Sequence, residues 1–100
     1  MEITIQSIHF EVSKKLNDFI QKKVGRLSKF NEDVLLADVT LKVVKPETND
    51  NKDASVLLHL SGTELYSQEV ANTFEEAIDK CVNKLERQVL KHKEKQRSKK

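Results

Sequence analysis

The stretch from Thr73 to Val89 constrains the fold more than any other part of the chain. Phe74, Ala77, Ile78, Cys81, Val82, Leu85 and Val89 recur at helical spacing, the pattern of an amphipathic helix that buries one stripe and leaves the other in water. Thr73, followed three residues later by Glu76, has the form of a capping box and marks the helix start. The end is predicted at about Lys93 to Lys95, because KQRSKK offers no apolar side chain to dock. Such a helix needs a second layer to cover its stripe.

That layer is legible upstream, where the period changes to two. EITIQSI over residues 2–8 sets Ile3 and Ile5 on one side and reads as a strand. Ser13 then precedes Leu16, Phe19, Ile20, Val24, Leu27 and Phe30 at helical spacing, so a first helix with Ser13 as N-cap is predicted over 13–30, slightly weakened by Gly25. VLLADVTLKVVK over 34–45 alternates as a half-buried strand until Pro46. The polar PETNDNKD predicts a mobile hairpin loop leading to ASVLLHLS, and Gly62 with Thr63 predicts a tight turn into TELYSQEV. The order is β-α-β-β-β-α: an α+β two-layer sandwich in which two helices cover one face of a four-stranded sheet. One hundred residues suffice for one core, read as a single domain over 1–95 with a basic disordered tail at 96–100.

Several function classes fall away on composition. No run approaches the roughly 18 apolar residues of a spanning helix, and Met1 to Phe10 lacks a basic stretch followed by an apolar block. No membrane association is expected, and the cytoplasm is the expected compartment. The single cysteine, Cys81, forms no internal disulfide or paired metal-ligand spacing and faces the core, so it reads as a small buried hydrophobe. His9, His59 and His92 are isolated in sequence, with no carboxylate or Cys at ligand spacing. Two glycines cannot build a phosphate loop, and nothing fixes a pair among Asp33, Asp38, Glu64 and Glu69 at catalytic geometry. No enzyme, metal, cofactor or small-molecule substrate is expected.

Charge carries the functional signal. The net +2 conceals blocks of −2 over 1–13, +5 over 14–29, −8 over 30–79 and +7 over 80–100. Such segregation polarises the surface and points to an anionic partner. At about 100° per residue, Lys15, Lys22, Arg26 and Lys29 fall within roughly 60° of one another beside the apolar arc of the first helix. Lys23 lies inside that arc, where its stem packs and its ammonium reaches the rim. On the second helix Lys80, Lys84, Arg87, Lys91 and Lys95 share roughly 80°, a stripe about 22 Å long that spans several phosphates of a nucleic acid strand. A merely solvated face interleaves acids, whereas Glu86 and Glu94 lie off this stripe. Like charges at i,i+4 carry a small penalty with no structural return, so polyanion binding is the better reading.

AIDKCVNKLERQVLKHKEK resembles the C-terminal helix of the ribosome hibernation promoting factors, the family that includes the ribosome-associated inhibitor protein Y. The likeness extends through FEVSKKLNDFIQKKVGRLSKF, DVTLKVVK and SVLLHLSG; KLERQ-x2-K is its most specific part. The resemblance implies binding in the channel of the small ribosomal subunit, against rRNA where mRNA and tRNA would sit. It carries basic positions over to Lys23, Arg26, Lys84, Arg87 and Lys91. Lys29, Lys93 and Lys95 match some members, while Lys22 and Lys80 rest on the helical-face argument alone. Asn72, Thr73 and Phe74 depart from the Asp-Met-Tyr type sequence common in the family, and the chain resembles its short form.

The expected function is therefore ribosome hibernation: basic helix faces occupy the small-subunit channel on rRNA, exclude mRNA and tRNA, inhibit translation and preserve idle ribosomes. The expected RNA-binding set is Lys22, Lys23, Arg26, Lys29, Lys80, Lys84, Arg87, Lys91 and Lys95. Tyr66 is the one aromatic in the sheet strands, which favours shape and backbone contacts over a stacking platform. Two alternatives stand beside this reading: a generic double-stranded RNA binder, whose usual order lacks the first strand, and a protein-interaction module using the acidic sheet edge.

Overall fold

The computed structural model describes residues 1–30, 32–44 and 50–98, the last six of them as backbone only. The chain forms β1 (Glu2–Ile8), α1 (Lys14–Gly25), a 3-10 turn (Arg26–Lys29), β2 (Val34–Val43), β3 (Lys52–Leu60), β4 (Thr63–Ala71) and α2 (Phe74–Ser98). The predicted β-α-β-β-β-α order is the observed one. The strands make one sheet in the order β1-β2-β3-β4. β1 pairs parallel to β2, and the other two pairings are antiparallel. β4 thus runs in the same sense as β1, and each of these edge strands leads into one of the two helices.

Alternation decides which face the helices cover. Ala37, Val39 and Leu41 of β2 and Ala54, Val56 and Leu58 of β3 are buried beneath Ile20, Val24 and Leu27 from the first helical segment and Ile78, Cys81, Leu85 and Val89 from α2. Burying each large aliphatic side chain here stabilises the fold by about 2 kcal/mol. Both predicted N-caps are in place. Ser13 Oγ accepts from the Leu16 amide at 3.1 Å and Thr73 Oγ1 from the Glu76 amide at 3.1 Å, each satisfying a donor the helix leaves unpaired. Phe10 stacks on Phe74 with ring centroids 5.0 Å apart, tying the segment before α1 to the start of α2.

Four boundaries differ from expectation. The first helix is α-helical only to Gly25 and then tightens into the 3-10 turn, where residues i and i+3 eclipse. Arg26 and Lys29 therefore share a face by that spacing rather than by the 100° step. β3 begins at Lys52, inside the segment read as loop, because Asp53 finds partners on the open face: Gln68 at 2.9 Å and Lys42 at 3.9 Å. The β3–β4 turn is Ser61–Gly62, closed by the Leu60–Thr63 pair. Gly62 holds φ at +83°, a region that glycine enters without a Cβ clash. α2 continues to Ser98, beyond the predicted fraying point and three residues into the expected tail; Glu, Lys, Gln and Arg sustain a helix with nothing to stop it. Residues 46–49 of the predicted mobile loop, and Lys45 at the predicted end of the second strand, lie outside the described residues.

A bulge between Val34 and Leu36 skips Leu35, which stands 59% exposed. The extra residue leaves Val34 and Leu60 buried and shifts the register toward His59.

Candidate nucleic-acid interface

α2 covers β3 and β4, whereas α1 packs toward β1 and touches α2. This arrangement turns the basic stripe of α2 outward along the β4 edge. Lys80, Lys84 and Arg87 border one cleft with Asn83 and Glu69. Lys91 borders the next cleft along the helix with Gln88, His92, Thr63 and Leu65. Lys80, Lys84, Arg87 and Lys91 are all exposed, as are Lys22, Arg26 and Lys29 on the first helical segment. The backbone of Lys95 continues the same helix, and its side chain lies outside the described residues.

Among the described residues, two members of the predicted set are held by acids. The Lys23 ammonium lies 3.6 Å from Asp79 Oδ1 of α2 and 5.7 Å from the centroid of Phe19. Its side chain is only 30% exposed, as expected for a lysine whose stem packs in the apolar arc. The Lys84 ammonium pairs with Glu69 of β4, at the edge of the sheet.

The open face of the sheet has a different chemistry. Thr4 donates to Asp38, whose other oxygen lies 2.8 Å from His59 Nε2, while His59 Nδ1 lies 2.9 Å from Glu64. This network links all four strands. The hydrogen bond from Thr4, then that to His59, holds the Asp38 carboxyl below its ordinary range. Tyr66 is 53% exposed on this face with Gln68 beside it. Basic residues thus line the helix side and the β4 seam, and carboxylates concentrate on the open sheet face.

Residues 3–97 match the family model described as Sigma 54 modulation protein / S30EA ribosomal protein. The chain belongs to this family. The ribosome hibernation promoting factor of Azotobacter vinelandii is 30% identical over 96 residues, covering 96% of this chain and 86% of that protein. That of Escherichia coli K12 is 30% identical over 95 residues, 95% of this chain and 96% of the relative. Among solved structures, the N-terminal domain of Thermus thermophilus protein Y superposes with a TM-score of 0.79 at 26% identity, over 92% of this chain and 99% of that one. A ribosomal subunit interface protein from Coxiella burnetii shares the fold, with a TM-score of 0.82 at 20% identity over 93% and 98% of the two chains. The likeness to hibernation factors noted in the second helix thus extends over nearly the whole S30EA chain.

Sequence reasoning missed the acids that touch the cations. Asp79 reaches Lys23 across the helix pair, a contact with no signature in either helix alone. Glu69 did leave a signal: in TELYSQEV it occupies an inward position of the alternation with Leu65, Ser67 and Ala71, where a carboxylate requires a partner. His59, isolated in sequence, sits between two carboxylates because pairing across three strands brings them together. Cys81 is fully buried as expected. Its thiol lies 3.3 Å from the Ala54 carbonyl oxygen, and burial pushes it up to about 11. Such a thiol is a poor nucleophile. No group of three metal-ligating side chains occurs among the described residues, and no described helix is long and apolar enough to cross a membrane.

Proposed function

We propose that this S30EA chain is a ribosome hibernation factor that fills the small-subunit channel and excludes mRNA and tRNA by steric occlusion. Lys22, Lys23, Arg26, Lys29, Lys80, Lys84, Arg87, Lys91 and Lys95 neutralise rRNA phosphates and release their counterions. The two-layer fold fixes register and orientation without reading sequence at most positions. No covalent step is required, and the protein acts in the cytoplasm, where it meets ribosomes. The observation that carries this reading is the line of four exposed cations, Lys80, Lys84, Arg87 and Lys91, along the α2–β4 seam of a chain whose relatives are named hibernation promoting factors. A protein-interaction role for the acidic sheet face is less well supported, since Asp38, Asp53 and Glu64 are already engaged by His59, Lys42 and Gln68.

The test is sedimentation with ribosomes on a gradient. The wild-type chain is expected with small subunits and intact ribosomes and inhibits cell-free translation. The Lys84→Ala, Arg87→Ala, Lys91→Ala triple variant keeps its far-ultraviolet circular dichroism spectrum and loses both properties. A wild-type chain that stays at the top of the gradient refutes the proposal.

A further inference from the structure

The cleft bordered by Glu69, Lys80, Asn83, Lys84 and Arg87 has a volume of about 300 Å³, at the lower limit for a small-ligand site. Its charges are not those of a plain phosphate clamp. Lys80, Lys84 and Arg87 form a cationic rim, but Glu69 stands among them, only 20% exposed and paired with Lys84 through one oxygen. A bare phosphate meets repulsion at Glu69, and a purely cationic ligand meets repulsion at the rim. A nucleotide satisfies both parts: its phosphate faces the rim, and an exocyclic amine on the base donates to the carboxylate, the pairing by which Glu recognises cytosine N4. Asn83 adds an amide able to donate and accept.

The groove continues beyond this cleft. A second one of about 290 Å³, bordered by Thr63, Gln88 and His92 among others, lies roughly seven residues, or about 10 Å, further along α2. There the enclosed Nε2 of His92 has no hydrogen-bond partner among the described residues. Adjacent clefts along one basic seam fit an unpaired strand whose bases are turned toward the protein, and neither is large enough for a duplex.

Resting on the hibernation reading, we propose that the α2–β4 seam seats an unpaired RNA strand and that Glu69 selects there a base bearing an exocyclic amine over uracil. A surface otherwise built for backbone charge thereby gains one position of base readout.

The experiment compares labelled oligo(C) and oligo(U) RNA of equal length binding to the full chain by fluorescence anisotropy. Oligo(C) stacks on itself more than oligo(U), so the preference is read as the change on Glu69→Gln, which leaves the RNA unaltered. Oligo(C) is expected to bind about tenfold more tightly, the discrimination of one good base contact. Glu69→Gln, whose amide can also donate to a uracil carbonyl, is expected to bring the two within about twofold. Glu69→Ala, which removes the acceptor, is expected to abolish the preference for oligo(C) as well, and it decides the matter if Glu69→Gln fails to fold. Equal wild-type binding of the two RNAs, no detectable binding of either, or a Glu69→Gln variant that tightens both by the same factor overturns the inference; the last result leaves Glu69 as a charge neutraliser of Lys84. Base preference without ribosome co-sedimentation overturns the hibernation reading but supports the cleft, and co-sedimentation without preference does the reverse.

Discussion

Lys23 of α1 and Asp79 of α2 meet at 3.6 Å, an ion pair that joins the two helices and partly cancels one positive charge of the proposed RNA surface. Both side chains retain solvent exposure, at 30% and 51%, so the pair contributes at most about 1 kcal/mol to stability. Removing the acid should therefore affect binding more than folding. Asp79→Asn is expected to leave the melting temperature within a few degrees of wild type and to tighten ribosome binding several-fold at low salt, an advantage that fades as salt screens the charge. Weaker binding by a folded Asp79→Asn variant would show that the pair positions Lys23 for contact.

Counterion release sets the salt response. If about five cations contact phosphates, log K against log salt falls with a slope of about −3 to −5. Titration of ribosome binding over a range of potassium concentrations measures it, and a slope near zero would remove the basic surface from the interface.

Two double variants separate local from net charge. Arg87→Ala with Lys91→Ala takes two charges from the α2 stripe and leaves the buried side intact; stability is retained, since Ala is the best helix former, and binding falls at least tenfold. Lys42→Ala with Lys52→Ala takes the same charge from the sheet side. Because Lys42 lies 3.9 Å from Asp53, whose side chain is only 6% exposed, that variant loses about 1 kcal/mol of stability and keeps most binding. Equal loss of binding would mean that only net charge matters.

Cys81 makes a prediction about packing and pH. Cys81→Ala is expected to lose about 1 kcal/mol through lost contacts while ribosome binding persists. The folded thiol titrates near 11 against an ordinary value of 9.0. The unfolded chain therefore releases this proton first, and stability present below pH 9 declines as pH rises toward 11. Denaturant titrations at several alkaline pH values should show that decline in wild type and less of it in Cys81→Ala.

Asp38 acts at the other end of the pH scale. Its carboxyl is held below the ordinary 3.8 by Thr4 and His59, so its contribution is present above pH 4 and is lost as pH falls through the lower, folded value. Asp38→Asn should be less stable than wild type at neutral pH by under about 1 kcal/mol, as for an exposed pair, and the difference should close in acid. Thermal melts from pH 7 to pH 3 measure it.

Local pattern was enough for the elements themselves. The helical spacing of Phe74 to Val89, the strand alternations and the Ser13 and Thr73 caps each depend on residues within a few positions of one another, where side-chain direction follows directly from backbone period. The stripe of Lys80, Lys84, Arg87 and Lys91 was legible for the same reason. Tertiary structure alone decided what the stripe faces and which acids restrain it. Glu69 reaches Lys84 from the edge strand, Asp79 reaches Lys23 across the helix pair, and Asp38 and Glu64 meet at His59 through strand pairing. Each contact depends on strand order and helix docking. These are set by burying the core as a whole, so spacing within one segment carries no information about them.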